Sequence, residues 1–204
     1  MDKKINIFLA LCGAIGPIYF LILIITIGFL HPNYNHITQY ISELSAVNAP
    51  YAIIMNTIGF PLLGLFVIAF SYSLYKGVKY EKGLIIGPIL VAISGISFIL
   101  VAIFPCDPNC ITISMKGAIH GHVANISQFS LIFAPLFMYN GFRKDERWHN
   151  YHIFSLLIII IALFFSVLYK MNFFTDMIGL FQRISFGIPL FWVEITAIKL
   201  FRIL

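Results

Sequence analysis

The sequence predicts an all-α fold: a polytopic membrane protein built as a bundle of six transmembrane helices, with the N and C termini in the cytoplasm. Three observations predict it. Only 10% of the 204 residues are charged while 60% are hydrophobic. A water-soluble domain carries about a quarter charged residues, so there is too little polar material here to cover a globule. The apolar runs also do not alternate. Strands of a membrane barrel alternate over about ten positions, whereas Leu156 to Phe165 is apolar throughout. In lipid the backbone must satisfy its own hydrogen bonds, which leaves a helix bundle. Finally, the basic residues sort to alternate connections between the apolar stretches, as topology requires.

A span needs about 20 apolar residues, and six segments qualify, at approximately 6–30, 51–75, 83–104, 117–142, 152–172 and 179–202. The first follows Met1-Asp2-Lys3-Lys4 and runs uncharged to about Leu30, too long for the apolar region of a secretory signal. Leu9-Ala10-Leu11-Cys12 faintly imitates a lipoprotein cleavage site, but Leu11 is bulky and the span simply continues. Gly59-Phe60-Pro61, Pro88, Pro135 and Pro189 fall inside spans, where packing neighbours can re-satisfy freed carbonyls. Gly13, Gly16, Gly87, Gly95, Gly117 and Gly121 are placed to let helices approach closely. The last two spans are divided by the short stretch around Thr175-Asp176.

Orientation follows from charge. Lys3, Lys4, Lys76, Lys79, Lys82, Arg143, Lys144, Arg147, Lys199 and Arg202 fall on one side, ten of the 13 basic residues. Only Lys116, Lys170 and Arg183 fall on the other, each near a helix end. The first side is therefore cytoplasmic. Small clusters between apolar spans are a topology signal rather than a phosphate-binding face, which excludes nucleic acid as a partner despite the net charge of +5.

The outer connections hold most of the polar chemistry. In the first, Ile37, Tyr40, Ile41 and Leu44 share one helical face and Asn35 is a candidate N-cap, predicting a short amphipathic interfacial helix over about 36–45. Its other face groups Gln39, Ser42 and Glu43. The second connection places Cys106 and Cys110 where a disulfide can persist, with free thiols as the alternative. Asp107 lies between them, and His120-Gly121-His122 follow inside the next span. The two histidines stand about 200° apart around the helix, so they do not readily grip one ion. No metal or other cofactor is expected, zinc being the alternative if other donors join them. Arg183 opens the last span and should seek Asp176, Glu43 or Asp107 as a counter-ion, or else clamp a lipid head group. Glu194, deeper in that span, is expected to pair with an inner basic residue.

Several of these segments together resemble a known family: Asn33-Tyr34-Asn35, Gln39-Tyr40-Ile41-Ser42-Glu43-Leu44, Phe104-Pro105-Cys106-Asp107, Gly117 with His120, and Gln182-Arg183. The chain resembles, over nearly its whole length, the multi-pass membrane family catalogued as domain of unknown function 998. The resemblance implies the architecture and supplies no reaction.

The candidate site is thus an outward polar cluster of Gln39, Ser42, Glu43, Asp107, His120, His122 and Arg183. It suits a cell-membrane protein that binds or senses a lipid head group, with membrane lipids as its partners. An intramembrane lipid hydrolase or transferase is the alternative, and a small transporter a third. Oligomeric state is left open.

Overall fold

The computed structural model describes residues 3–78 and 85–204. Lys79 and Lys82, used above for topology, and the start of the third apolar segment at 83 lie outside the described residues. The protein is 83% helical, with no strand among the described residues. Six long helices carry the chain: α1 Lys3–Leu30, α2 Ala52–Gly77, α3 Ile86–Ile103, α4 Met115–Lys144, α5 Tyr151–Lys170 and α6 Ile178–Ile203.

Among the described residues, five of these are long and apolar enough to cross a membrane. The exception is α4, which has 30 residues but carries His120, His122, Asn125 and Gln128 in its first half. Its polarity is turned inward at several points. Ser127 and Ser94 share a hydrogen bond at 2.9 Å, and Gln128 donates to Ser166 Oγ at 3.0 Å. Similar links join Trp192 Nε1 to Ser155 Oγ and Ser73 Oγ to Asn6. In lipid there is no water to drive apolar helices together, so packing and such interhelical bonds, each about 0.6 kcal/mol, carry association. Close packing contributes the rest: Gly64 and Gly95 face each other where α2 crosses α3. A Cβ on Gly64 would come within 2.5 Å of the Gly95 carbonyl oxygen.

Each helix packs on its neighbours in sequence, and α1 also packs on α6, so the six form a closed ring. Its outer surface is apolar, with Phe8, Ile53, Leu65, Ile96 and Phe164 all exposed.

One end of the ring is basic. There Arg147 donates to Asp145 at 2.6 Å and to the Gly77 carbonyl at 2.8 Å. Behind this pair Phe142, Trp148, Tyr151 and Trp192 form a buried aromatic cluster. The Lys199 ammonium lies 5.2 Å from the centre of the Tyr151 ring, within cation–π range.

The opposite end holds the long connections. The helix expected over 36–45 is not one element. Asn35 Oδ1 accepts from Ile37 N at 2.8 Å, so Asn35 does cap a turn. The turn then ends, and a separate 3₁₀ helix, Ile41–Ser45, begins after the extended residue Tyr40. The reason lies in contacts beyond the segment. The Ile37 carbonyl is taken by Leu180 N (2.9 Å) and the Gln39 carbonyl by Arg183, so these acceptors serve α6 instead of a local helix. The first residues of α2 complete this end. Met55–Gly59 is a π-helical stretch just before Pro61, and within it Asn56 donates to the Ser45 carbonyl at 2.8 Å.

Candidate functional site

The site is built around one cation. Arg183 sits on the first turns of α6, half-buried, where the connection after α1 folds back across the ring. Its Nη1 donates to the Gln39 carbonyl (2.8 Å) and to the Gly179 carbonyl (2.9 Å). Its Nη2 donates to the Tyr34 hydroxyl and lies 3.3 Å from His36 Nδ1. The Tyr34 hydroxyl in turn donates to the Tyr40 carbonyl at 2.8 Å. None of these partners is an anion. The expected pairing of Arg183 with Asp176, Glu43 or Asp107 is not formed. Arg147 and Asp145 form an ion pair at the other end of the ring, and Arg183 forms none among the described residues.

The carboxylates are occupied elsewhere. Glu43 accepts from Gln39 Nε2 (2.9 Å) and from Tyr40 N (2.8 Å), which starts the 3₁₀ helix. Asp107 accepts from Ile113 N and Ser114 N, each at 2.8 Å, and from Ser114 Oγ at 2.7 Å. Those donors, the Ser114 N–H foremost, hold its carboxyl below the usual carboxylate range. Asp107 therefore orders the entry to α4, whose N-cap is Ser114. Asp176 is exposed in the short 3₁₀ turn Thr175–Met177 that precedes α6.

Two N–H groups at the cation are left over. Arg183 Nε and His36 Nε2 are buried without a hydrogen-bond partner. A guanidinium has five N–H donors and a neutral imidazole one. Because Arg183 donates toward His36 Nδ1, the His36 proton belongs on Nε2. Burial, and then the charge of Arg183, hold the His36 pKa below its ordinary value. Burial likewise pushes the Tyr34 phenol up, against the pull of Arg183.

Arg183 and His36 stand at one end of an apolar cavity of about 490 Å³ inside the ring. Its walls come mainly from α1 (Pro17, Leu21, Ile24) and α6 (Leu190, Phe191), with Phe60 and Phe98 behind. Gln182 closes the same end. It accepts from Ile41 N at 2.7 Å and its amide lies 3.4 Å from the Tyr169 hydroxyl. Glu194 lines the cavity on the same helix as Arg183. The expected pairing of Glu194 with a basic residue is not seen among the described residues.

A second, more polar cavity of about 210 Å³ lies beside it, lined by Tyr40, Thr112, Asn125, Tyr169 and Lys170 among others. Lys170 donates to Asn125 Oδ1 there. Ser42, His120 and Gln182 line both cavities and so form the wall between them. His120 Nδ1 lies 2.9 Å from the Phe104 carbonyl. A carbonyl can only accept, so Nδ1 carries the proton and Nε2 keeps its lone pair. Cys106 and Cys110 are joined as a disulfide, with Cys106 Sγ 3.3 Å from the Ser42 carbonyl.

The seven predicted residues thus divide. Gln39, Glu43 and Arg183 form one hydrogen-bonded network, and Ser42 and His120 share a cavity wall. Asp107 is committed to the cap, and His122 is exposed away from both cavities. Gly117 serves Asp107 instead of a helix crossing, since a Cβ there would overlap the carboxylate, and Gly121 has nothing within 4 Å of its Cβ position. Tyr34, His36 and Gln182 were missed as site residues. Tyr34 and Gln182 stand in the segments that carry the resemblance, whereas His36 stands in none of them. Among the described residues no three His, Cys, Asp or Glu side chains converge as a metal site would need.

A closed ring of apolar helices with an apolar cavity beneath polar loops defines a multi-pass membrane protein. The chain belongs to the family described as Protein of unknown function (DUF998), which it matches over residues 14–199. Among curated proteins and among solved structures nothing matches it.

Proposed function

We propose that this protein spans the cell membrane six times, with both termini in the cytoplasm, and binds the anionic head group of a lipid at a site opening outward. The topology is supported by charge. Lys3, Lys76, Arg143, Lys144, Arg147, Lys199 and Arg202 all sit at the end of the ring opposite Arg183. That gathering matches the bias of cytoplasmic loops. With it α4 is a span despite its polar first half, because its 30 residues reach about 45 Å.

The binding function rests on one observation: Arg183 stands at the polar end of an apolar cavity with only neutral partners. Removing a charge from water costs several kcal/mol unless an opposite charge compensates it. Carbonyls and a phenol offset part of that cost, and a phosphate or carboxylate offsets more. The apolar cavity then takes the hydrocarbon attached to that anion.

The test uses purified protein in nanodiscs of zwitterionic lipid, titrated with anionic lipid and followed by native mass spectrometry. Arg183→Gln should weaken retention of anionic lipid by about tenfold or more, the value of a charge-assisted hydrogen bond. Arg183→Lys should lose less. Equal retention by wild type and Arg183→Gln would refute the reading.

One observation favours a second reading, an intramembrane hydrolase or transferase. His120 has its tautomer fixed by the Phe104 carbonyl, leaving Nε2 as an acceptor on a wall that Ser42 shares. A base held this way is what a hydroxyl nucleophile requires. Turnover of a lipid ester that both Ser42→Ala and His120→Ala abolish would favour it over simple binding.

A further inference from the structure

Arg183 and Glu194 lie eleven residues apart on α6 and line the same apolar cavity. Eleven residues are three turns plus about 20°, so the two share one helix face, separated by about 16 Å. Leu190 and Phe191 fill the cavity wall between them. The two charged side chains therefore mark the two ends of one apolar slot. Neither makes an ion pair among the described residues. Glu194 is half-buried, lines the cavity and has no hydrogen-bond partner among the described residues.

The size of the slot limits what can fill it. One water's share of liquid volume is about 30 Å³, and a methylene is of similar size. A cavity of about 490 Å³ then holds on the order of sixteen such groups, the size of one hydrocarbon chain. A carboxyl acceptor at the far end of an apolar chamber calls for a donor on the chain that reaches it. A hydroxyl meets that need at far lower desolvation cost than an ammonium group.

We infer that the occupant is a single-chain amphiphile with an anionic group on Arg183 and a hydroxyl at its other end on Glu194. This inference rests on the head-group reading of Arg183 and adds the chain number and the second polar terminus.

The test is calorimetric titration of the full-length protein in zwitterionic nanodiscs with three probes: ω-hydroxypalmitate, palmitate and a diacyl phosphatidate. Wild type should bind ω-hydroxypalmitate about tenfold more tightly than palmitate, the gain of one hydrogen bond to the Glu194 carboxyl. Glu194→Met, which keeps the bulk and removes the acceptor, should bring the two affinities together. Equal affinities in wild type, or a preference that survives Glu194→Met, would overturn the inference. So would phosphatidate alone binding in an Arg183-dependent way, though the head-group reading would then stand. Binding of every probe unaffected by Arg183→Gln would instead defeat that reading itself, and this inference with it. A melting temperature for each variant confirms that it is folded, and Arg183→Lys supplies a charge-retaining control.

Discussion

The guanidinium of Arg183 donates to the backbone carbonyl of Gln39 at 2.8 Å, across 144 positions of sequence. This bond ties the connection after α1 to the start of α6 and closes the cavity's polar end. A peptide carbonyl accepts the bond without cancelling the charge, so the cation is anchored yet remains electrostatically available. A carboxylate in the same place would have anchored it and silenced it.

Arg183→Gln should therefore loosen the fold locally as well as weaken anion binding. Three anchoring bonds to carbonyls and a phenol disappear, offset by the relief of desolvating a cation, for a net loss of about 2 kcal/mol. Hydrogen exchange should accelerate over residues 34–43 while the basic end of the ring keeps its protection. Uniform acceleration along all six helices would contradict the local role.

Gly179 is where the connection crosses α6, and a Cβ there would overlap the Gln39 backbone. Gly179→Val should cost about 1–3 kcal/mol by overpacking and displace the Gln39 carbonyl from Arg183. Gly121→Ala is the matched control, because its Cβ position is open. Comparing the two melting temperatures checks the prediction; equal values would contradict it.

Asp107 carries a pH signature. Its carboxyl is held below the ordinary aspartate value of about 3.9 by the Ser114 and Ile113 donors. A depressed pKa means the unfolded state binds the proton more readily, so the contribution is complete above about pH 4 and fades as pH falls through the folded value. The melting temperature of wild type should drop below about pH 4 more steeply than that of Asp107→Asn. Parallel curves would remove Asp107 from this role.

His36 should make anion binding depend on pH near neutrality. Its pKa is lowered by burial and by Arg183, so in the empty protein protonation opposes the folded arrangement as pH falls below about 6.5. A bound anion reverses the electrostatic part and favours the imidazolium, so binding takes up a proton. Affinity should then rise as pH drops from about 7.5 to about 5.5, and His36→Gln should flatten the profile. An affinity that falls over that range in wild type would contradict the assignment.

The apolar helices were legible because lipid imposes one requirement on every span, a long run without unsatisfied polar groups. The 30 residues of α4 were legible by length, yet their polar half obscured where the polar groups point. That is decided by Ser94 and Ser166 on neighbouring helices. The chemistry-bearing residue types at the loop end were legible too, but their roles were not. Asp107 reads as a counter-ion for Arg183 in an outward polar cluster until its donors are seen six and seven residues on. Arg183 reads as half of an ion pair because sequence displays carboxylates and hides carbonyls. The helix over 36–45 failed for the same reason, since backbone acceptors that local periodicity assigns to itself are taken by Leu180 and Arg183.

The closed ring also sets an order of assembly. The connection after α1 is made early, yet the partners of its Ile37 and Gln39 carbonyls, Leu180 N and Arg183, are synthesised some 140 residues later. Until α6 enters the membrane, those carbonyls have only water or head groups to satisfy them, and α1 lacks one of its two ring neighbours. Chains halted before the sixth helix would thus insert without possessing a pocket at all. The cavity would come into existence only with the last helix, which makes it a checkpoint on complete synthesis.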